Sequence, residues 1–307
     1  MLHLRLVVPA SCRGPVESCL VADERVTNVA VLPGAALDPP GDLVLCDVAR
    51  EGASDVLGRL RRLGLDDGGT AAILEIAASP STQARAAERA APGSPDDAVV
   101  WDVVADNAYA ETRSSWTYYA FLTLATLIAG VAVVLDSPIL VVGAMVVGPE
   151  FGLVSAVALG LALRRPHLVL TGLRLLAQGF AFAIGVTAAF ALLAAAAGWV
   201  DAEALTRPRP LTGFIWKPDR WSFVVALLAG IAGTLSLTAG RSNALVGVFI
   251  SVTTVPAAGN LALAVALRVP GEIGGAAAQL GVNLVGMVLA GWLTLLVQRW
   301  YWHRQHR

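Results

Sequence analysis

The side chain best placed to do chemistry is an acid in an apolar setting. Glu150 lies in Val141–Leu153 (VVGAMVVGPEFGL), inside the run Gly148-Pro149-Glu150-Phe151-Gly152. Proline removes a helix donor and glycine loosens the backbone, so this spacing predicts an interrupted helix. At bilayer depth a break survives only where protein or water satisfies the freed backbone groups. A carboxylate there is costly in hydrocarbon. Glu150 therefore faces an interior, where it holds a cation or a proton, or else it sits near an aqueous mouth or bonds the freed backbone at the break. A second interrupted stretch, Gly247–Asn260 (GVFISVTTVPAAGN), brings Thr253, Thr254 and Asn260 around Pro256 and Gly259. These either line the same cavity or tie helices together by hydrogen bonds. Gln178, Gln279 and Asn283 on flanking segments complete the candidate set. Two broken helices in corresponding halves are what a transporter-like binding site requires.

Other chemistries have little support. The chain holds no HExxH, GxSxG or P-loop pattern, so it reads as a non-enzyme without a cofactor. Cys12, Cys19 and Cys46 fit no metal-ligand spacing, and His303 and His306 belong to a basic tail, WHRQHR, that suits anionic headgroups, so no metal site is expected. A net charge of -1 with no basic, aromatic-interleaved patch speaks against nucleic acid.

The elements that must position these residues follow from composition. Of 307 residues, 56% are hydrophobic and 15% charged, against about a quarter charged in soluble domains. Acidic residues concentrate in 1–115, which separates a polar N-terminal region from a membrane region. Residues 1–78 read β-α-β-β-α-β, the ferredoxin-like α+β order. Its strands are His3–Val8, Val26–Leu32 (closed by Pro33-Gly34), Asp42–Val48 and Thr70–Ile76. Its helices are Pro15–Ala22 and Ser54–Leu63, the latter capped by Ser54 or Asp55. Residues 79–115 read as a linker with a short helix and an amphipathic interfacial helix.

Six apolar segments follow over 116–307, each near the roughly 20 residues that span a bilayer. They are Trp116–Leu135, Pro138–Leu163, His167–Ala197, Trp221–Leu237, Ala244–Leu267 and Ala276–Trp300. Asp136 is expected on a tight turn, capping the next helix. Leu127-Ile128-Ala129-Gly130-Val131-Ala132 reappears as Leu227-Leu228-Ala229-Gly230-Ile231-Ala232. Gln178 and Gly185 match Gln279 and Gly286, and Pro149 and Gly152 match Pro256 and Gly259. Three spans per half put the second half in opposite orientation. This gives a 3+3 inverted repeat with two broken helices: repeat one over 116–198, an outer loop over 199–220 and repeat two over 221–300.

With Gly143-Ala144-Met145 followed by Pro149 and Gly152, and with Gly247-Val248, Ile250 and Pro256, the region resembles a family of bacterial hydrophobic-domain membrane proteins, domain of unknown function 389. Ala257 stands where that family usually has a second proline. Glu150 and Phe151 stand for an apolar pair, and Leu153 for a proline. The resemblance implies the membrane topology and supplies no activity.

The start, MLHLRLVVPAS, is too short and weakly flanked for a signal peptide, and arginines favour the turns on the N-terminal side. The expectation is a bacterial inner-membrane, multi-pass protein with both termini cytoplasmic, in contact with the lipid bilayer and assembled as a homo-oligomer. Its expected function is transport or conduction of a small solute or ion at the repeat interface. The alternative is a non-transporting, membrane-anchored sensor or scaffold whose cytoplasmic domain binds an effector or partner. A polar cavity joining Glu150 to Asn260 favours the first; a closed interface with a pocket in 1–78 favours the second.

Overall fold

Alternation decides the N-terminal sheet. In β1 (Leu2–Val8), Leu2, Leu4, Leu6 and Val8 are buried and their neighbours are not, the pattern of a strand with one face on a core. Val44, Cys46 and Val48 are fully buried in β3 (Pro40–Val48), where Asp47 between the last two is buried as well. With β2 (Val26–Leu37) and β4 (Thr70–Glu75) they form one antiparallel sheet, ordered β2-β3-β1-β4. α1 (Arg13–Val21) and α2 (Arg50–Arg62) cover its apolar face, where Val16, Leu20, Val56, Leu57 and Leu60 meet Leu4, Leu6 and Val44. The chain order is the split βαβ order read from the sequence.

This computed structural model describes residues 1–239 and 253–305. Two boundaries depart from expectation. β2 does not stop at Pro33-Gly34 but runs on to Leu37. A register shift between Leu32 and Ala36 absorbs the missing proline donor and the φ of +63° at Gly34, and the Gly34 N–H donates to Asp42 Oδ1 at 2.6 Å. α2 begins at Arg50, a turn before Ser54, so neither Ser54 nor Asp55 caps it. The Ser54 hydroxyl donates to Val99 O and accepts from the Trp101 N–H instead, while Asp55 accepts from Arg25. Residues 79–104 fall within the first of two compact units, Met1–Val104. There α3 (Thr82–Ala90) buries Ala84 and Ala87, and Val100 and Val103, at the start of α4 (Trp101–Glu111), join the sheet's core.

The second unit, Ala105–Arg307, is helical. It contains α5 (Trp116–Val134), α6 (Pro138–Val147), α7 (Glu150–Ala162), α8 (Pro166–Ala196), the short α9 (Glu203–Thr206), α10 (Arg220–Thr238), α11 (Thr254–Ala266) and α12 (Pro270–Gln305). α5, α8, α10 and α12 are long and apolar enough to cross a membrane, and α6 with α7 forms a bent apolar pair, the geometry of either a broken span or a re-entrant loop. Large apolar side chains such as Leu124, Val131, Leu170, Phe190 and Val297 stay exposed on these helices, as they would against lipid. Of the expected span Ala244–Leu267, α11 is the described part, and residues 244–252 lie outside the described residues, with Gly247, Val248 and Ile250 among them.

The helices recur at one spacing. Trp116 and Arg220, Glu150 and Thr254, and Pro166 and Pro270 each start helices 104 residues apart. α5 and α10 both have 19 residues, and α7 and α11 both have 13. Burial repeats in the same register: Leu122, Ala125, Thr126, Ala129, Gly130 and Ala132 in α5 correspond to Ala226, Ala229, Gly230, Gly233, Thr234 and Ser236 in α10. The residue matches read from the sequence fall out of this register. Leu127 with Leu227, Pro149 with Pro256 and Gln178 with Gln279 are each three or four residues off it. A shift of one turn preserves apolar periodicity, so sequence similarity alone does not penalise it. Packing is reciprocal as well: α7 lies on α8 and α12, and α11 on α12 and α8.

Candidate functional site

α6 ends at Gly148 and α7 begins after Pro149, with a bend of 55° between them. Gly148 and Pro149 therefore mark the first interruption, and Glu150 is the first residue of the second half-helix. Its side chain folds back over Gly148, where a Cβ would meet Glu150 Oε2 and come within 2.7 Å of Val255 Cγ2. Val255 is the second residue of α11, so the N-terminus of α11 lies beside that of α7. Glu150 is buried, and its Oε2 has no hydrogen-bond partner among the described residues. Thr254, which holds Glu150's position in α11, is fully buried, and its Oγ1 likewise lacks a partner among them. The first turn of a helix carries free N–H groups and partial positive charge, so two buried, unused oxygens stand at two adjoining positive ends.

Pro256 and Gly259 do not mark an interruption. Both lie within α11, which starts two residues before Pro256, where proline's missing donor costs nothing because first-turn N–H groups have no intrahelical partner. Gly259 is a packing residue: a Cβ there would fall 2.9 Å from Gly130 N and 2.7 Å from Ala129 Cβ of α5. Gly152, within α7, similarly faces Glu111.

Asn260 is not hydrogen-bonded to Glu150. It sits in a buried charged network that sequence reasoning missed. Arg209 Nη1 donates to Asn260 Oδ1 at 2.9 Å, Arg209 Nη2 to Glu272 Oε1 at 2.5 Å, and Asn260 Nδ2 to Glu272 Oε2 at 3.0 Å. Arg209 and Glu272 had the appearance of loop charges; only the prolines on either side of Arg209 hint at a stiff, inserted segment. The same loop is held by Asp136, which accepts from the Thr212 N–H and hydroxyl, both at 2.8 Å. Asp136 is therefore a loop anchor, and Ser137 caps α6 in its place.

Thr253, Gln279 and Asn283 form a third group. Gln279 Nε2 donates to Thr253 Oγ1 and Asn283 Oδ1, both at 3.2 Å, and Asn283 Nδ2 donates to Thr253 Oγ1 at 3.0 Å. Gln178 is exposed on α8 and belongs to none of these groups. Its match to Gln279 is three residues out of the common helix spacing.

A bent apolar helix pair, the short apolar helix α11 against it and four long apolar helices are compatible with a helical membrane protein. Residues 145–289 match the family model described as "Domain of unknown function (DUF389)", a little under half of the chain, and this stretch includes α7 and α11. An uncharacterized protein of Methanocaldococcus jannaschii is 29% identical over 135 residues, 44% of this chain and 39% of that protein. The chain thus spans about two-fifths of the curated relative it matches. No solved structure matches it.

Proposed function

We propose that the protein moves a small solute or ion across a membrane, at the interface of two inverted repeats formed by α5–α8 and α10–α12. The observation that carries this reading is the pairing of Glu150 and Thr254. They are the first residues of α7 and α11 at the common helix spacing, both buried with an oxygen that has no partner among the described residues. A buried polar group without a partner costs free energy, so a fold that places two of them together at a break has a ligand or proton to hold. The common spacing of the helices and their reciprocal packing support the repeat. Three spans in each half, as read from the sequence, would give the two halves opposite orientations. The bacterial inner membrane, with cytoplasmic termini, is the setting that accords with the arginine-bearing turns.

The test is uptake into vesicles by the reconstituted protein, screened over inorganic ions and small metabolites, with wild type against Glu150→Gln. The variant keeps shape and removes charge and proton exchange. We expect its rate for the active solute to fall at least tenfold while its thermal midpoint holds. A folded Glu150→Gln protein with wild-type uptake would remove Glu150 from the mechanism.

A further inference from the structure

The loop that carries Arg209 and the start of α12 enclose a cavity of about 390 Å³. Its lining includes three cations, Arg207, Arg209 and Lys217, one acid, Glu272, and the apolar Leu205 and Trp216. Glu272 is already matched by Arg209, whose side chain is buried with it. Arg207 and Lys217 have only neutral partners. Arg207 Nη2 donates to the Val134 carbonyl, and Lys217 Nζ stands 4.8 Å from the centroid of the Trp216 ring. Acids that line the neighbouring cavities are used elsewhere. Asp201 accepts from the Ala204 N–H, and Asp219 from the Ser222 N–H and hydroxyl. Neither these two nor Glu203 forms an ion pair with Arg207 or Lys217 among the described residues. Residues 240–252 and 302–307 contain no aspartate or glutamate.

The lining thus carries two positive charges in excess. Cations gathered in a cleft with an apolar wall draw anions to it. Gly271 lines the cavity as well, from the first turn of α12, where the helix dipole adds partial positive charge. A Cβ on Gly271 or on Gly213, also in the lining, would meet no described atom within 4 Å, so a ligand can approach the backbone at both. The volume falls in the roughly 300–1,000 Å³ range of sites for organic ligands, more than a bare inorganic ion fills. A phosphate monoester carries about −1.5 to −2 charge at pH 7, which answers the two cations, and the planar fork of an arginine takes two of its oxygens together. We propose that the cavity binds the phosphate monoester of a small organic molecule, its phosphate met by Arg207 and Lys217 and its body by Trp216 and Leu205. A soluble phosphomonoester and the headgroup of phosphatidic acid both offer this chemistry. The site is separate from Glu150 and Thr254 and does not rest on the transport reading.

Saturation-transfer NMR on the purified full chain in detergent, with phenyl phosphate, phenol, succinate and benzylamine as probes, tests it. Phenyl phosphate should bind saturably, and the other three at least about tenfold more weakly. Lys217→Gln, at an exposed position, should weaken phenyl phosphate about tenfold, and Lys217→Arg should keep most of the affinity. Gly271→Val, which narrows the cavity without changing charge, should weaken it at least as much with an unchanged thermal midpoint. Displacement of phenyl phosphate by glycerol 3-phosphate marks a soluble ligand. Displacement by phosphatidic acid in the micelle, but not by phosphatidylcholine, marks a lipid headgroup; either upholds the site. Displacement by neither overturns the proposal. So do the absence of saturable binding by phenyl phosphate, equal binding of succinate or phenol, or phenyl phosphate binding that survives both Lys217→Gln and Gly271→Val.

Discussion

Arg209 and Glu272 show how much one buried pair commits the fold to. Their side chains are only 2% and 6% exposed, and Asn260 bonds both. Desolvating two ions is expensive, and their attraction offsets it only when both are present. Arg209→Met, which leaves Glu272 buried and uncompensated, should destabilise the protein by about 3–5 kcal/mol. The double variant Arg209→Met, Glu272→Leu should recover most of that loss. Thermal unfolding in detergent compares them; a double variant no more stable than the single one would mean that the pair stabilises beyond mutual neutralisation. The Glu150–Thr254 pair is the opposite case, with oxygens that the described chain leaves unused. That difference is why we assign structure to the first pair and function to the second.

Among the elements, α7 and α11 are held by close approach at glycines. Gly259 lets α11 touch α5 at Ala129 and Gly130, and Gly233 of α10 receives the Phe151 ring of α7. Small residues of this kind let membrane helices pack by van der Waals contact where no hydrophobic force separates protein from lipid. A methyl at Gly259 would meet α5 backbone, which cannot yield as a side chain can. Gly259→Ala should therefore cost about 1–3 kcal/mol as overpacking. Gly143→Ala is the contrast, since no atom of the described residues lies within 4 Å of a Cβ there. It should be neutral or gain up to about 1 kcal/mol in helix propensity. Equal midpoints for the two variants would contradict the close contact.

For the whole molecule, the expectation to test is orientation. Ala202 is exposed in the loop between α8 and α10, and the proposed topology places that loop outside. The native cysteines all lie in the first unit, where Cys12 and Cys46 are buried. Burial, with Asp47 adding to it, pushes the Cys46 thiol up to about 12, so it is a poor nucleophile at neutral pH. In intact cells a membrane-impermeant maleimide should label Ala202→Cys and leave the wild type unlabelled. Protection of Ala202→Cys, with labelling of a cysteine placed at His167, would invert the topology.

Composition and periodicity were enough to separate a polar α+β region from an apolar helical one, because alternation and helical spacing are local properties of the chain. Leu4, Leu6 and Val44 on one face of a sheet, and the break at Gly148-Pro149, are legible for the same reason. Register between the halves was not. Apolar helices tolerate a slip of one turn, so Pro149 was matched with Pro256, and Gln178 with Gln279, where the helices themselves align Glu150 with Thr254. Nor could sequence place Arg209: a charge in a Pro-rich loop reads as solvated until the fold brings Asn260 and Glu272 to it. Which buried polar groups find partners depends on contacts between distant segments, and those contacts exist only in the tertiary structure.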